Sequence, residues 1–427
     1  PRLKKSRLTD KTCPISFEQN VERYLDKASR DTNQTTGQQT EVNKTTFRKT
    51  SLTCNPSTWP FFSAGQGELD RIRKTLFSPT FNALDYSPDD LTILLGEIFI
   101  QLELDKDLKT SWATVQTLIL SARAGMPNNL YHNWTHVADV VQKVFSLATA
   151  SGLLAELCGK QRLALFLAAL FHDIEHPGVT AGYLVSAQSR MAAWYKNDPG
   201  LLEKHHSIRA FELLISHDFD LLANLPTDDR VNVRKLVRDL ILATDMGRHK
   251  STLDEVDSLL GGISVIRSGN DGPASPAAGA GGARPSRLLL HMQMLLKCAD
   301  ISNPAKPLPV AMEWAVAVSD EFFAQGDLER TQGIEVTPMC DRHRQSRVAL
   351  QRGFVDAVAA PLFRAAARLL PGLVPAVRQL EENRRAMDGL DDDALLAQVE
   401  AMRRSRAAPR PDGRAAPAPP PPPRAGG

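Results

Sequence analysis

Six of the ten histidines of this chain lie between residues 132 and 206, and several of them stand beside acidic residues in short segments. The segment FHDIEHPG (171–178) places two histidines and two acidic residues within five positions, directly behind the apolar run LALFLAAL. Ionisable side chains buried beside a hydrophobic helix are costly unless something pairs with them. A single His-Asp dipeptide is often satisfied by an ordinary hydrogen bond, so this segment alone does not require a metal ion.

Four other segments repeat this arrangement at distant positions. In NLYHNWTHVADV, His132 and His136 lie four residues apart, so they share one face of a helix or of its first turn. An H-x3-H pair alone is more typical of a surface or capping position than of a metal site. The remaining candidates are Glu203, His205 and His206 in LLEKHHS, Thr244 and Asp245 in LATDM, and Asp300 and Asn303 in CADISNP. Together, the five segments predict that imidazoles and carboxylates converge in space.

A mixture of imidazole and carboxylate ligands suits Zn together with Mg or Mn. Because a divalent cation compensates several buried groups at once, we predict two metal ions as the counter-charge of HDIEH. Two ions roughly 3.5–4 Å apart can hold phosphoryl oxygens and lower the pKa of a water to roughly 7. A positioned acid or base contributes only about 10²–10⁴-fold, whereas phosphate esters hydrolyse extremely slowly without a catalyst. The pattern therefore favours metal-dependent hydrolysis of a phosphate ester.

The elements that must position these side chains have helical periodicity. Strand signals are nearly absent, so the sequence predicts an all-α core between about residues 67 and 390. In SPDDL, Ser87 suits a helix N-cap, Pro88 its first turn, and the two aspartates the positive end of the helix dipole. The predicted helices are 90–102, 108–123, 135–150, 160–171, 205–216, 230–244, 287–298, 308–324 and 347–370.

Three segments have a composition that does not support a packed core. Residues 1–66 are rich in Thr, Asn, Gln, Lys and Ser, and we predict a disordered or linker region there. Residues 261–287 are rich in Gly, Ala, Pro and Ser, which predicts a flexible loop between two helices. Residues 391–427 are predicted to hold a helix end and a Pro-rich disordered tail. Such a tail can bind SH3 or WW modules, although a solvated tail is the favoured interpretation.

Overall composition excludes several classes of function. The chain has 51 basic and 49 acidic residues, and its basic excess lies at the two ends, so no basic face for nucleic acid is indicated. Five scattered cysteines without a C-x-x-C pair predict a reducing compartment. The apolar runs are too short for a membrane span, and we expect a cytoplasmic protein. Because the chain begins at Pro1, we expect a fragment, and membrane attachment through an upstream segment stays open.

Six motifs, YHNWTHVADV, FHDIEHPG, LATDM, CADISNP, EFFAQGD and QRGFVDAVAAPLF, occur in an order and spacing that resemble class I 3′,5′-cyclic-nucleotide phosphodiesterases. The resemblance covers roughly residues 70–390. It implies a compact bundle of about sixteen helices of the HD-type phosphodiesterase fold, with one deep pocket. It also implies hydrolysis of the cyclic phosphodiester of cAMP or cGMP to the 5′-monophosphate, which ends cyclic-nucleotide signalling. A homodimer is a further possibility within the family.

The resemblance assigns a role to each residue of the predicted metal site. Zn would be bound by His136, His172, Asp173 and Asp300. Asp173 would bridge to a second ion, Mg or Mn, whose waters would be held by His176, Glu203 and Thr244. His132 would be the general acid that protonates the leaving 3′-oxygen while a hydroxide between the two metals attacks phosphorus.

The resemblance also predicts a substrate-binding set of Tyr131, Asn303, Val318, Gln351 and Phe354. Gln351 would contact the purine edge and Phe354 would stack on the base, with Val318 on the opposite wall. Because a glutamine amide can turn to suit either base, the preference for cAMP or cGMP stays open.

Val318 belongs to a stripe with Trp314 and Phe322 at helical spacing, which alone would indicate a helix core. Two positions depart from the family pattern. Lys204 replaces an asparagine, and Arg352, which replaces an apolar residue, is predicted at the rim of the pocket.

Two alternatives have discriminating features in the sequence. A catalytically silent cyclic-nucleotide binder would be expected to lack a metal ligand, and all four predicted ligands are present. A broader HD-type phosphohydrolase would not need the purine-binding residues Gln351 and Phe354. Metal-dependent hydrolysis of a cyclic nucleotide is therefore the favoured hypothesis.

Overall fold

The computed structural model describes residues 66–76, 78–214, 220–267 and 286–407. All regular secondary structure in these residues is helical, and none of them forms a β-strand. The prediction of an all-α bundle is therefore confirmed. None of the helices in these ranges is both long and apolar enough to cross a membrane.

The helices of the first half surround the HDIEHPG segment. In chain order they are α1 (Gln66–Thr75), α2 (Pro88–Gln101), α3 (Leu104–Leu108), α4 (Trp112–Ala124), α5 (Trp134–Ala150), α6 (Leu153–Glu156), α7 (Gly159–Phe171), α8 (Ala181–Ser186) and α9 (Arg190–Trp194). The predicted start of α2 is confirmed, because the Ser87 hydroxyl accepts from the N–H of Asp90 and the Asp90 carboxylate accepts from the N–H of Ser87.

The second half contains the longest described helix, of 24 residues, and a helix of 23 residues that is interrupted only by a π-helical turn. Its helices are α10 (Leu201–Leu214), α11 (Thr227–Ile241), α12 (His249–Arg267), α13 (Arg287–Asp300), α14 (Leu308–Thr331), α15 (Arg347–Phe354), α16 (Ala360–Leu369), α17 (Val374–Ala386) and α18 (Asp392–Ala407). A π-helical turn, Val355–Ala359, joins α15 to α16. π-Turns inside α-helices are frequent at functional sites, and this one directly follows Phe354.

Helix α7 is the centre of the core. Every side chain from Leu163 to Phe171 is buried, as expected for a helix that is apolar on all its faces. Helices α5 and α11 pack directly against it, and α13 packs against α5. Because α7 is enclosed on all sides, the residues that follow its last turn also lie inside the protein, and these are His172 and Asp173.

The three segments predicted to lack a packed core fall largely outside the described residues. The predicted N-terminal linker, most of the predicted loop and the Pro-rich tail lie in residues 1–65, 268–285 and 408–427, outside the described residues. At its start the predicted loop differs from the structure, because α12 continues to Arg267. Helix α18 begins at Asp392, just after the predicted domain edge at residue 390, and packs on α14 and α15.

Candidate active site

Four predicted metal ligands meet where the ends of α7 and α13 approach the first turn of α5. The Nε2 atom of His136 lies 3.3 Å from Asp173 Oδ2 and 3.3 Å from Asp300 Oδ1. The Nε2 atom of His172 lies 3.2 Å and 3.3 Å from the same two oxygens, and 3.4 Å from the Nε2 atom of His136. Ligand atoms of a tetrahedral Zn site with bonds of about 2.0–2.1 Å are separated by about 3.3–3.4 Å. The cluster therefore fits one tetrahedral cation.

The chemistry of these donors also suits a cation. The Nδ1–H group of His172 donates to the carbonyl of Ala169, so its Nε2 atom faces the cluster. Burial alone would lower the pKa of His136, but hydrogen bonds and charge from Asp173 and Asp300 outweigh it and raise that pKa to about 9. Despite burial, the charge of His172 helps to hold the pKa of Asp300 well below its usual value. The site thus favours positive charge between its four side chains.

Glu175 is the acidic residue of HDIEHPG that does not join the cluster. Its backbone is left-handed, with φ 60°. One oxygen lies 3.0 Å from Nε2 of His205, and the other accepts from Nε of Arg209 at 2.9 Å. Helix α10 therefore supplies the counter-charge of Glu175.

The three residues predicted to hold metal-bound waters line the pocket next to Asp173. They are His176, Glu203 and Thr244. Burial, with added repulsion from Asp245 and Asp173, raises the pKa of Glu203 to about 7. The buried ammonium of Lys297 donates to the carbonyls of residues 243, 244 and 245, at 3.1, 3.2 and 2.7 Å, and so fixes the backbone that presents Thr244.

His132 is held by a carboxylate that sequence reasoning missed. Its Nδ1 atom hydrogen-bonds Oε1 of Glu321. The other oxygen, Oε2, accepts from the backbone N–H groups of Tyr131 and His132 at 2.8 and 3.1 Å. The His132 ring also stacks on His176, with ring centroids 3.8 Å apart. Glu321 lies in the quoted motif EFFAQGD, but no local pattern distinguishes it from its neighbours on α14.

One amide joins the two histidine segments, and it was also missed. The side-chain N–H₂ group of Asn129 donates to the carbonyl of His132 at 2.9 Å and to that of His176 at 2.8 Å. Gly178, with φ 75°, allows this approach, because a Cβ atom there would lie 2.9 Å from Oδ1 of Asn129. The glycine of HDIEHPG is therefore required by close packing.

A single cavity of about 560 Å³ extends from this cluster between α14 and α15. Its lining includes every predicted substrate-binding residue, namely Tyr131, Asn303, Val318, Gln351 and Phe354. Trp314 and Phe322 line it as well, and Trp314 is also part of the hydrophobic core. Arg352 is not among the lining residues and pairs instead with Asp388 at 3.3 Å. Exposed Lys204 pairs with Asp198.

The two amides of the pocket differ in how they are held. Among the described residues, the side chain of Gln351 has no hydrogen-bond partner, although it is only 7% exposed. The Asn303 amide is fixed on both sides: its Oδ1 accepts from the Tyr131 hydroxyl at 2.5 Å, and its Nδ2 donates to Asp139 Oδ2 at 3.3 Å. Asp139 is itself paired with buried Lys306 at 2.8 Å. A carboxylate only accepts hydrogen bonds, so this pair sets the orientation of the Asn303 amide.

A family model described as 3'5'-cyclic nucleotide phosphodiesterase matches residues 131–380 of the chain. Among curated proteins, mouse 3',5'-cyclic-AMP phosphodiesterase 4C is 34% identical over 303 residues, which is 69% of this chain and 42% of that protein. The probable 3',5'-cyclic-AMP phosphodiesterase pde-4 of Caenorhabditis elegans is 34% identical over 302 residues, with the same coverage of 69% and 42%. The chain thus spans less than half the length of these two relatives.

The chain is also similar in fold to solved structures. The phosphodiesterase domain of the RhoPDE fusion protein of the choanoflagellate Salpingoeca rosetta is 25% identical, with a TM-score of 0.64, covering 79% of this chain and 99% of that one. LmjPDEB1 in complex with IBMX is 26% identical, with a TM-score of 0.65, covering 76% of this chain and 97% of that one.

Proposed function

Because the chain belongs to the 3′5′-cyclic nucleotide phosphodiesterase family, we propose that it hydrolyses the 3′,5′-cyclic phosphodiester of cAMP to 5′-AMP and so ends a cyclic-nucleotide signal. The observation that carries this proposal is the convergence of His136, His172, Asp173 and Asp300 at one end of the cavity. The opposite end offers apolar walls and two amides to a purine, so the cavity combines an ion site and a base site.

His136, His172, Asp173 and Asp300 would hold Zn²⁺, and Asp173 would also reach a second ion, Mg²⁺ or Mn²⁺. Asp173 suits a shared role because its oxygens face different partners, with Oδ2 beside the two histidines and Oδ1 3.9 Å from Nε2 of His206. Such ions supply a water of lowered pKa and neutralise charge on the phosphoryl oxygens. His176, Glu203 and Thr244 would orient the water molecules around the second ion.

His132 is the proposed general acid. Since its Nδ1 atom is bonded to Glu321, its Nε2 atom is left to donate a proton to the leaving 3′-oxygen. The hydrogen bond to Glu321 and the stack on His176 hold the ring of His132 in one orientation. Glu321 acts through His132, so it is a positioning residue.

Adenine is the base that the fixed amide of Asn303 favours. The Oδ1 side of this amide lies beside Tyr131, which lines the cavity, whereas Nδ2 faces the fully buried Asp139. The Tyr131 hydroxyl gives its proton to Oδ1, so both oxygens that face the cavity can accept a hydrogen bond. The exocyclic amine of adenine donates hydrogen bonds, and the carbonyl of guanine does not. The relatives quoted above are also named as cAMP enzymes.

The test is steady-state hydrolysis by the purified chain in buffer containing Zn²⁺ and Mg²⁺. We expect kcat/KM for cAMP to exceed that for cGMP by about tenfold or more, because an acceptor left facing the guanine carbonyl loses about 1–3 kcal/mol. Equal values would contradict the assigned base preference. Measurable nucleotide binding without any product would contradict the hydrolytic function and identify a silent binder.

A further inference from the structure

Helix α18 lies beyond the matched residues 131–380 and covers the outer side of the base-binding end. Its Leu395 and Val399 belong to one buried cluster with Met312 and Val316 of α14 and Val348 of α15. None of these five side chains lines the cavity. Helices α14 and α15 carry the two apolar walls of the cavity, so α18 contacts both walls from behind.

The first turn of α18 also caps α15. The Asp392 carboxylate accepts from the backbone N–H of Arg347 at 2.8 Å through Oδ2, and from that of Val348 at 3.0 Å through Oδ1. The Ser346 hydroxyl accepts from the next N–H group, that of Ala349, at 3.0 Å. The first N–H groups of a helix have no partner within the helix. At α15, two of these three bonds come from a helix 44 residues further along the chain.

The last turn of α18 is attached to α14. Both Nη atoms of Arg406 donate to the two oxygens of Glu313 at 2.7 Å. The Nε atom of Arg406 donates to Asp85 at 2.7 Å. Glu313 is only 4% exposed and directly precedes Trp314 of the cavity wall. A bidentate guanidinium–carboxylate pair is among the stronger and more directional contacts in proteins. Helix α18 is therefore bonded to α15 at one end and to α14 at the other.

We propose that α18 is a brace that sets the gap between α14 and α15, and that Asp392 is its positioning residue for the purine clamp. This inference rests on the proposed function. Gln351 and Phe354 follow the capped turn on the same short helix, so a shift of that turn moves both of them relative to Val318. The ion-binding ligands lie on α5, directly after α7 and at the end of α13, whereas α18 packs on α14 and α15. Loss of the cap therefore weakens nucleotide binding and leaves the chemical step intact.

The experiment compares Asp392→Ala with Asp393→Ala in the full chain. Both residues lie in the first turn of α18, but Asp393 is exposed and forms no hydrogen bond to α15. We expect Asp392→Ala to raise KM for cAMP by about three- to tenfold, the size of a lost helix cap, with kcat within about twofold. Asp393→Ala changes neither constant. Asp392→Asn keeps one acceptor oxygen and should give an intermediate KM. This conservative variant tests the cap even if Asp392→Ala fails to fold.

Amide hydrogen exchange gives a second readout, independent of turnover. The N–H groups of Arg347 and Val348 should exchange faster in Asp392→Ala than in Asp393→Ala. If these two groups exchange at the same rate in both variants, the proposed brace is wrong. It is also wrong if exchange is faster in Asp392→Ala while KM is unchanged, or if Asp392→Ala lowers kcat alone. If the wild-type chain hydrolyses neither nucleotide, the proposed function fails, and the same comparison is made on the Kd for cAMP. Equal Kd values, or no binding at all, then overturn the brace as well.

Discussion

The four ion ligands of the pocket are held by nearby backbone and by each other, whereas the base-binding residues of α15 depend on a distant helix. His172 is fixed by the carbonyl of Ala169, three residues earlier in the chain. Gln351 has no hydrogen-bond partner among the described residues, and the helix that carries it is capped by Asp392. Chemistry that needs ligand atoms in one geometry is built on the most buried helix ends. Recognition of the base is built on a less constrained pair of helices.

Removal of an ion ligand should have the largest effect. We expect His172→Ala to lower kcat for cAMP by on the order of 10³-fold or more, because the cation and the water it activates are both lost. The Zn content of the purified protein, measured by mass spectrometry, should fall in parallel. A chelator should have the same effect on the wild type, reversible with Zn²⁺ and Mg²⁺. His343→Ala, at an exposed histidine, is the control, and full turnover by His172→Ala would refute the ion site.

The next effect concerns the link between Glu321 and His132. We expect Glu321→Gln to lower kcat by up to about 10²-fold, the loss that a small misplacement of a reacting group can cause. KM should change less than kcat, because the hydrogen bonds of the Glu321 side chain go to His132 and the backbone N–H of Tyr131 and none goes to Gln351. Asp327→Asn, on the exposed side of α14, is the matched control. An increase in KM with unchanged kcat would place Glu321 in substrate binding instead.

Truncation of the base-stacking ring should give a different kinetic signature. We expect Phe354→Ala to raise KM for cAMP by about tenfold with kcat largely retained, because a lost aromatic stack costs about 0.5–1.5 kcal/mol beyond the buried area. Arg352→Ala is the control on the same helix, since its side chain pairs with Asp388 outside the cavity. A fall in kcat comparable to that of Glu321→Gln would show that the two ends of the pocket are not separable.

The smallest effect concerns the buried lysine Lys143 and the free energy of unfolding. Burial, with repulsion from Lys306, lowers the pKa of Lys143 from 10.5 to about 7, although Asp139 opposes this shift. Below pH 7 the Lys143 ammonium is charged in both the folded and the unfolded state, so folding carries the full free-energy cost of burying that charge. Between about pH 7 and pH 10.5, Lys143 loses its proton in the folded state but keeps it in the unfolded state. The free-energy cost of burying the charge therefore decreases as the pH rises.

Lys143→Met should therefore raise the free energy of unfolding, by about 1–3 kcal/mol at pH 6.5 and by less at pH 9.5. Denaturant titrations at the two pH values measure this difference. Lys235→Met, at an exposed lysine, should show no such dependence on pH. A gain that is larger at pH 9.5 would contradict the lowered pKa of Lys143.

The sequence by itself determined the all-α fold and the residue types of the ion site, because helical periodicity and motif order are local properties of the chain. His172 and Asp173 could be predicted at the end of a buried helix, since the apolar run before them is continuous. The partner of Glu175 could not be predicted, because a left-handed backbone turn and a partner such as Arg209 cannot be read from a dipeptide.

Only the tertiary structure decided which distant side chain serves which site. Glu321 meets His132 across 189 residues, and Lys306 meets Asp139 across 167. Asp392 reaches the first turn of α15 only because α18 packs on two helices at once. Such pairs leave no periodic signal, since each depends on the packing of whole helices and not on the residues beside it. The physical reason is that burial makes these contacts strong, and burial is a property of the assembled fold.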